Sequence, residues 1–379
     1  MLDTIVITMN ESQFQILDYD RFAPSAIGLF KPPYYKLGGR ANFSCYQNPT
    51  NTDAKNGIYK PRLTLTKRMR QGGFAIMLRI EFSAPKLILG NNFDELIDTD
   101  FDNVIQTLLK RLESMGVHTD YERLADSEIS AIHYSKNIPL IDYSNCSMII
   151  NELHKIDLNK KLDLAASDYR NNGQAIRYHT NSFEIAFYDK IKDLQQAKTS
   201  EKRAIEKDSF MQSDLFSGRK FSKQFDVLRM EVRLGNRQKI KQVFEKLGIE
   251  KKLTFSRLFD RDVSKKVLQH YWQIIWHDLK IPLMANDDVA DTYRQIQSQT
   301  GYKPAKTMQL FGAIKMVQEL GIRGARSLIE KNADVKTWQR LKKDIDSLQL
   351  SNKTKFTALA NIGKAIDKFE PLKLKDYEI

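Results

Sequence analysis

The sequence predicts an α+β protein, in which a mostly antiparallel sheet with flanking helices is followed by an all-helical region. Two observations predict this class. Before about residue 255, apolar and polar residues alternate with a period of two in several runs, as in strands with one buried face. After that point only helical spacing remains. Because 379 residues exceed what one core usually supports, we predict two domains, 1–255 and 256–379.

The first domain is predicted to alternate between strands and helices. Strands are expected at 3–8, 62–66, 74–82, 128–135, 175–179, 183–188 and 227–234. Helical patterns interrupt them at 101–115, 144–156 and 237–247, and Asn236 is a natural N-cap for the last of these. Polar stretches at 47–61 and 195–223 are expected to be loops.

The second domain is predicted to consist of helices at 263–279, 288–299, 307–320, 324–331, 335–348 and 353–369. Gly321 and Asn332 lie near the breaks of a three-helix piece that resembles a helix-turn-helix arrangement. Three short helices also occur in ordinary bundles, so this pattern alone is a weak sign of DNA binding. Basic side chains that could contact phosphate are Lys306, Lys315 and Arg323, with further lysines and arginines nearby.

One strand combines an apolar face with a possible nucleophile. In the segment 183–192, Glu184 and Tyr188 alternate with apolar residues, and Lys190 and Lys192 follow directly. A tyrosine can act as a covalent nucleophile if a neighbour withdraws its proton and another neutralises the phosphate that it attacks. The ordinary alternative is a tyrosine that only packs its ring at the end of a strand.

Three other predicted strands carry polar groups on one face. Arg79 and Glu81 share a face of 76–82, His133 lies on 128–135, and the 226–234 segment places Arg229, Glu231 and Arg233 together. If the four strands belong to one sheet, these groups could gather around a phosphodiester.

The grouped residue types suit a hard divalent cation. Carboxylates from Glu81 and Glu231 and the imidazole of His133 would fit Mg²⁺ or Mn²⁺. Arg79, Arg229 and Arg233 would then contact the DNA backbone. The simpler interpretation is a half-buried strand histidine and a glutamate paired across the sheet with an arginine.

Composition narrows the possible partners. The chain has 60 Lys+Arg against 47 Asp+Glu, a formal charge of +13, which favours a polyphosphate partner without proving one. Its two cysteines, Cys45 and Cys146, have no metal-site spacing. The N-terminal residues lack the features of a signal peptide, and no run of about 20 apolar residues is present. We therefore expect a cytoplasmic protein without a membrane partner.

Several segments, taken in order, carry a resemblance to a known family. They are LRIEFSAPKLILGNN (78–92), ISAIHYS (129–135), FYDKIKDL (187–194), LRMEVRL (228–234) and AKTMQLFG (305–312). Along nearly its whole length the chain resembles the replication initiation proteins of filamentous bacteriophages, of the gene II type, and related rolling-circle plasmid initiators. No single segment is specific, whereas their order and spacing are.

The resemblance implies an endonuclease that nicks one strand at a replication origin. Tyr188 matches the nicking tyrosine of a Tyr-x-Lys motif and Lys190 its lysine. Glu231 matches the acidic residue of a Leu-Arg-x-Glu motif, and His133 occupies the place of a metal ligand. The partners implied are duplex origin DNA, a single strand, a host helicase and a host polymerase.

The chain departs from the family pattern in one motif. Many relatives have Arg-Ile-Asp where this chain has Ala131, Ile132 and His133, and the His-hydrophobic-His pair of other initiators is missing. The metal ligand type is therefore open. Two alternative functions also stand: a DNA- or RNA-binding protein without catalysis, and a metal-dependent nuclease that uses water.

Overall fold

A large antiparallel sheet dominates the computed structural model. The structure describes residues 1–24, 43–50, 52–53, 56–70, 73–140, 144–158, 166–170, 173–193, 226–249, 252–283, 288–350 and 357–377. In these ranges the strands are β1 (Leu2–Asn10), β2 (Gln15–Ile16), β3 (Ala23–Pro24), β4 (Phe43–Gln47), β5 (Arg62–Arg70), β6 (Gly73–Ser83), β7 (Val117–His118), β8 (Glu128–Leu140), β9 (Ala166–Arg170), β10 (Ala175–His179), β11 (Phe183–Asp189) and β12 (Asp226–Leu234).

Ten of the strands described form one sheet in the order β3-β4-β5-β6-β1-β8-β12-β11-β10-β9, and β2 pairs with β7 separately. Every pairing that joins these ten strands is antiparallel.

The helices follow the predicted division of the chain. They are α1 (Ala84–Leu89), α2 (Phe101–Ser114), α3 (Tyr121–Ala125), α4 (Cys146–His154), α5 (Arg237–Lys246), α6 (Phe255–Leu258), α7 (Arg261–Leu283), α8 (Val289–Gln299), α9 (Pro304–Asn332), α10 (Val335–Asp346) and α11 (Thr357–Lys368). The side chain of Asn236 caps α5 by accepting from the Lys239 amide at 2.8 Å. The predicted α+β class is confirmed.

The predicted strands and helices correspond closely to elements of the structure, with small shifts at their ends. The sequence patterns missed β2, β3, β4, β7 and β9 as well as the short helices α1, α3 and α6. The two helices predicted at 307–320 and 324–331 form the single helix α9, which bends at Gly321. The predicted loop at 195–223 lies outside the described residues. Among the described helices, none is long and apolar enough to cross a lipid bilayer.

The apolar face of the sheet packs against helices in one hydrophobic core. The first core combines strand residues such as Ile7, Phe82 and Met230 with residues of α2, α4, α7 and α11. A second core unites α8, α9 and α10 around Ile314, Trp338 and similar side chains. Helices α7 and α11 therefore share a core with the sheet, although they lie beyond residue 255. The division into domains at that residue stays a prediction.

The polar face of the sheet is partly covered by a segment that follows α1. This cover segment, residues 91–95, accepts two hydrogen bonds from the Asn137 amide nitrogen Nδ2, at Asn92 O (3.1 Å) and Phe93 O (2.8 Å). Glu95 receives the backbone amides of Asn137 (2.6 Å) and Leu372 (2.9 Å) and also pairs with Lys136. The cover leaves the neighbouring part of β8, β11 and β12 open, and the polar side chains there form the candidate site.

Candidate tyrosine and arginine site

Tyr188 and Glu231 meet on the polar face of two adjacent strands. Tyr188 of β11 lies opposite Arg229 of β12, and Ala186 lies opposite Glu231. Because side chains alternate along a strand, all four project to the same face. The small Ala186 leaves room for the Tyr188 hydroxyl to donate a hydrogen bond to Glu231 Oε2 at 3.0 Å.

Glu231 is the centre of a charged cluster. Arg233 donates to both of its oxygens, from Nε to Oε1 at 2.9 Å and from Nη2 to Oε2 at 3.1 Å. His133 Nδ1 lies 3.4 Å from Oε1. The carboxylate is buried, and burial alone would raise its pKa. Arg233, the hydrogen bond with His133 and Arg229 nevertheless hold the pKa of Glu231 well below its usual range, so it is ionised at neutral pH.

Arg233 joins a second carboxylate to this cluster. Its Nη1 lies 3.1 Å from Glu184 Oε1, and Arg177 Nε lies 3.8 Å from the same oxygen. Arg233 is half-buried, with 28% of its side chain exposed. Of the two guanidinium groups beside Glu231, Arg233 is therefore the one that solvent and a bound anion can reach.

Arg229 lies in the interior of the protein, whereas a direct contact with DNA requires a side chain at the surface. It is 1% exposed. It donates to Asn92 O at 2.8 Å and Ser135 Oγ at 2.9 Å, and it pairs with Asp3 Oδ2 at 2.7 Å. The cover segment and the neighbouring strands already engage its Nη1 and Nη2 groups, so the structure places Arg229 away from a direct contact with DNA. It supplies positive charge beside Glu231, with Nε 3.8 Å from Oε2.

Lys190 is a buried lysine one residue beyond β11. It is 3% exposed, and its Nζ lies 5.6 Å from the ring centroid of Phe93 and 5.9 Å from that of Tyr188. Burial, and then the charge of Arg229, lower the pKa of Lys190 from 10.5 to about 7. The ammonium and the free amine are therefore both populated near neutral pH.

The Tyr188 phenol keeps its proton at neutral pH. Burial raises the pKa of Tyr188 well above 10, and Arg229 lowers it without compensating for that effect. A reaction at this hydroxyl must therefore remove the proton as the new bond forms, and Glu231 is the group placed to accept it.

The predicted metal ligands are brought together only in part. His133 and Glu231 are adjacent, whereas Glu81 pairs with Arg79 at 2.9 Å on β6. Strands β1 and β8 lie between β6 and β12, so Glu81 is separated from Glu231 by three strand spacings, roughly 14 Å.

The arrangement around Glu231 does not suit a divalent cation. Both carboxylate oxygens already accept hydrogen bonds, and two guanidinium groups would repel a second positive ion. Within the described residues, the one group of three potential ligand atoms near one another is Cys146, Asp189 and Asp226, and it includes none of the predicted ligands. Backbone capping accounts for its carboxylates, because Asp189 accepts the Lys192 amide at 2.9 Å and Asp226 the Cys146 amide at 3.0 Å.

The other predicted DNA contacts are scattered over the molecule. Arg79 and Arg323 are exposed, while Lys192 lies 3.5 Å from Asp189. On α9, Lys306 pairs with Asp344, and Lys315 lies over the ring of Phe311 at 5.8 Å. Of the residues predicted to bind DNA, only Arg233 both contacts Glu231 and is exposed to solvent at the site.

Sequence reasoning missed the residues that hold Arg229 in place. Asp3, Ser135 and Asn137 surround its guanidinium, and Ser83 Oγ donates to Asp3 Oδ1 at 3.0 Å. One signal was available in the sequence: Asp3 places a carboxylate inside an otherwise largely apolar first strand, Leu-Asp-Thr-Ile-Val-Ile-Thr, which indicates a buried cationic partner. Its partner could not be identified without the order of the strands.

Fold and site together define an α+β protein with a ten-stranded antiparallel sheet whose polar face carries a tyrosine, glutamate and arginine cluster. No model of a known protein family, no curated protein and no solved structure matches the chain.

Proposed function

We propose that this protein is a rolling-circle replication initiator that nicks one DNA strand at an origin through a covalent bond to Tyr188. The observation that carries the proposal is the 3.0 Å hydrogen bond from the Tyr188 hydroxyl to a buried, ionised Glu231 beside two arginines. A nucleophile, a proton acceptor and positive charge within one cluster are the groups that phosphoryl transfer to a side chain needs. The order of the sequence motifs supplies the biological context.

In the proposed reaction, the Tyr188 oxygen attacks the phosphorus of a DNA phosphodiester. The new bond joins the phenolic oxygen to phosphorus, and the bond from phosphorus to the sugar O3′ breaks. The phenolic proton passes to Glu231, which later releases it to water, and the departing O3′ takes a proton from water to become a 3′ hydroxyl. Arg233, on the open side, stabilises the negative charge on the phosphate oxygens.

Lys190 and Arg229 act around the reacting atoms. The Lys190 ammonium adds positive charge behind the tyrosine ring, while Arg229 orients Glu231 from the interior. The product is a phosphotyrosine diester, so one phosphodiester replaces another. The step is reversible, and rejoining the displaced strand into a circle requires no nucleotide cofactor.

The wider role belongs to the same proposal. The protein would act on duplex origin DNA and on the displaced single strand in the cytoplasm of a bacterial host. A host polymerase would extend the 3′ hydroxyl, and a host helicase would separate the strands. The site residues support the strand-transfer step, and the formal charge of +13 is compatible with a DNA partner.

Replacing Tyr188 tests the nucleophile directly. The protein is mixed with supercoiled DNA that carries its own replicon, and both DNA topology and protein-bound DNA are followed on denaturing gels. Tyr188→Phe is expected to lower nicking and adduct formation by at least about a thousandfold, because the nucleophilic oxygen is gone while the ring remains. DNA binding should stay near that of the unaltered protein.

Tyr134→Phe is the matched control. Tyr134 lies on neighbouring β8 with 0% exposure, its hydroxyl has no hydrogen-bond partner among the described residues, and its ring belongs to the apolar core. Its removal should leave nicking unchanged. Nicking by Tyr188→Phe at the rate of the unaltered protein would refute the assignment and favour a nuclease that uses water.

A chelator decides what supplies the positive charge. The sequence predicts Mg²⁺ or Mn²⁺, but the hydrogen bonds to both oxygens of Glu231 leave no suitable site for a cation there. The assay is therefore run with each ion and with EDTA. Nicking that survives EDTA would assign the charge to the arginines. If EDTA abolishes nicking, the cation is needed, and Glu231 must break its hydrogen bonds with Arg233 in order to bind it.

The non-catalytic alternative makes a different prediction. A protein whose sheet only grips a nucleic acid backbone would bind DNA or RNA with strong salt dependence and leave every strand intact. Tyr188→Phe would then change neither nicking nor adduct formation, because the unaltered protein would show neither.

A further inference from the structure

Helix α10 presents a basic stripe on the side opposite its buried face. Trp338, Leu341 and Ile345 are buried in the second core. At about 100° per residue, Lys336, Arg340 and Lys343 fall within an arc of about 60° on the other side of the helix. All three are exposed. The stripe is therefore held on a rigid element whose orientation is fixed by packing.

The positive charges of the stripe are not compensated within the part of the chain that the structure describes. No ion pair joins Lys336, Arg340 or Lys343 to a carboxylate there, whereas other cations of the helical region are paired. Lys306 pairs with Asp344, and Arg326 Nη1 lies 3.0 Å from Asp157. A stripe of uncompensated charge on a surface helix attracts a polyanion.

The surroundings of α10 fit a helix that enters a groove. It follows α9 after only Ala333 and Asp334, and the Asp334 side chain caps it by accepting the Lys336 amide at 3.1 Å. Twelve residues give a length of about 18 Å, and the major groove of duplex DNA, about 12 Å wide, admits one helix. Gln339 is exposed at the edge of the stripe and could hydrogen bond to a base.

We propose that the outer face of α10, made by Lys336, Gln339, Arg340 and Lys343, docks onto duplex DNA as a second nucleic acid surface, separate from the tyrosine site. The inference rests on the proposed function, since it assigns duplex binding to the helical region and strand transfer to the sheet. The lysines and the arginine contact phosphates, and the helix lies along the groove.

The test replaces the three cations together in the full-length protein, as Lys336→Gln, Arg340→Gln and Lys343→Gln. Binding to a labelled duplex oligonucleotide of mixed sequence is measured by fluorescence anisotropy over a range of salt concentrations. We expect about 10- to 100-fold weaker binding and a salt dependence that is shallower by about 2 to 3 in the log–log slope, because three phosphate contacts are lost.

The matched control removes the same charge from other exposed helix positions, as Lys110→Gln, Lys241→Gln and Lys246→Gln. It should retain the affinity and slope of the unaltered protein. Unchanged binding by the α10 variant, or an equal loss in the control, would overturn the proposal. Loss of RNA binding with duplex DNA binding intact would overturn it as well.

Cleavage of a single-stranded origin oligonucleotide separates this proposal from the proposed function. The α10 variant should still cleave it and form the Tyr188 adduct. If no version of the protein ever forms an adduct, the strand-transfer proposal fails, while the anisotropy comparison still decides whether α10 binds duplex DNA.

Discussion

At the scale of residues, Glu231 holds the site together by receiving hydrogen bonds from Tyr188 and Arg233 while Arg229 lies behind it. A buried carboxylate is costly unless its charge is compensated. Here two guanidinium groups compensate it and simultaneously keep it ionised, which maintains an acceptor for the tyrosine proton. The same neutralisation weakens Glu231 as a base, so proton transfer must accompany bond formation.

Lys190 makes stability depend on pH in a specific window. Its pKa is about 7 in the folded protein and near 10.5 when exposed, so the unfolded chain binds more protons between these values. The stability of the folded state should therefore rise with pH from about 7 to about 10.5 by up to about 1.4 kcal/mol per pH unit.

Lys190→Met isolates this effect from all other titrations. The free energy of unfolding is measured by urea denaturation for both proteins at several pH values, and the difference between them is plotted. The variant should be the more stable at pH 7, and the difference should shrink as pH rises. A difference that is independent of pH would show that Lys190 is solvated.

At the scale of elements, strand register decides which side chains can cooperate. The pairing of β11 with β12 places Glu184 opposite Arg233 and Tyr188 opposite Arg229, and β12 with β8 places Arg233 opposite His133. A shift of one residue in either pairing would turn these groups into the apolar core. The alternation that builds the core thus also assembles the site.

Helix α9 bends at Gly321, and the backbone geometry of the bend requires a glycine at this position. Gly321 has φ 72° inside the helix, and the next amide, of Ile322, donates to Lys155 O at 2.7 Å. A Cβ atom at Gly321 would lie 2.9 Å from Lys155 Cα and O. The glycine therefore allows both the left-handed backbone and the close approach to the end of α4.

Gly321→Ala should lower the free energy of unfolding by at least about 2 kcal/mol, because strain at a positive φ adds to a clash with backbone. Gly312→Ala is the control in the same helix, since a Cβ there meets no atom of the described part of the chain within 4 Å. It should stabilise the protein by about 0.5–1 kcal/mol. Thermal unfolding measures both, and equal effects would contradict this description of the bend.

At the scale of the whole molecule, the chain leaves its first core and returns to it. Helix α7 packs on the sheet, α8 to α10 build the second core, and α11 brings Leu359, Ile362 and Ile366 back to the first. Leu372 then donates its amide to Glu95 in the cover segment. The end of the described chain therefore supports the same polar face that carries Tyr188.

Two substitutions of the same kind test this division of cores. Ile366→Ala and Ile345→Ala each remove a fully buried side chain and should each cost about 2–5 kcal/mol. Hydrogen exchange should show lost protection in β8 and β12 for Ile366→Ala, and in α9 and α10 for Ile345→Ala. Equal loss in the sheet for both variants would indicate a single cooperative unit.

The sequence by itself determined the class of the protein and the faces of its strands. Alternation in 183–188 and 227–234 sufficed to predict that Tyr188 lies on the polar face of one strand and that Glu231 and Arg233 share the polar face of another, because side-chain direction in a strand is a local property. Helices α5 and α10 followed equally from local spacing, and Asn236 marked the start of α5.

Only the tertiary structure decided which of these groups meet. The strand order places β1 and β8 between Glu81 and Glu231. Burial makes Arg229 an interior cation, and Asp3 becomes its partner. The return of α11 to the first core is likewise invisible in its helical spacing. The reason is physical: periodicity fixes the direction of a side chain from its own element, whereas neighbours across a sheet depend on how distant segments pair.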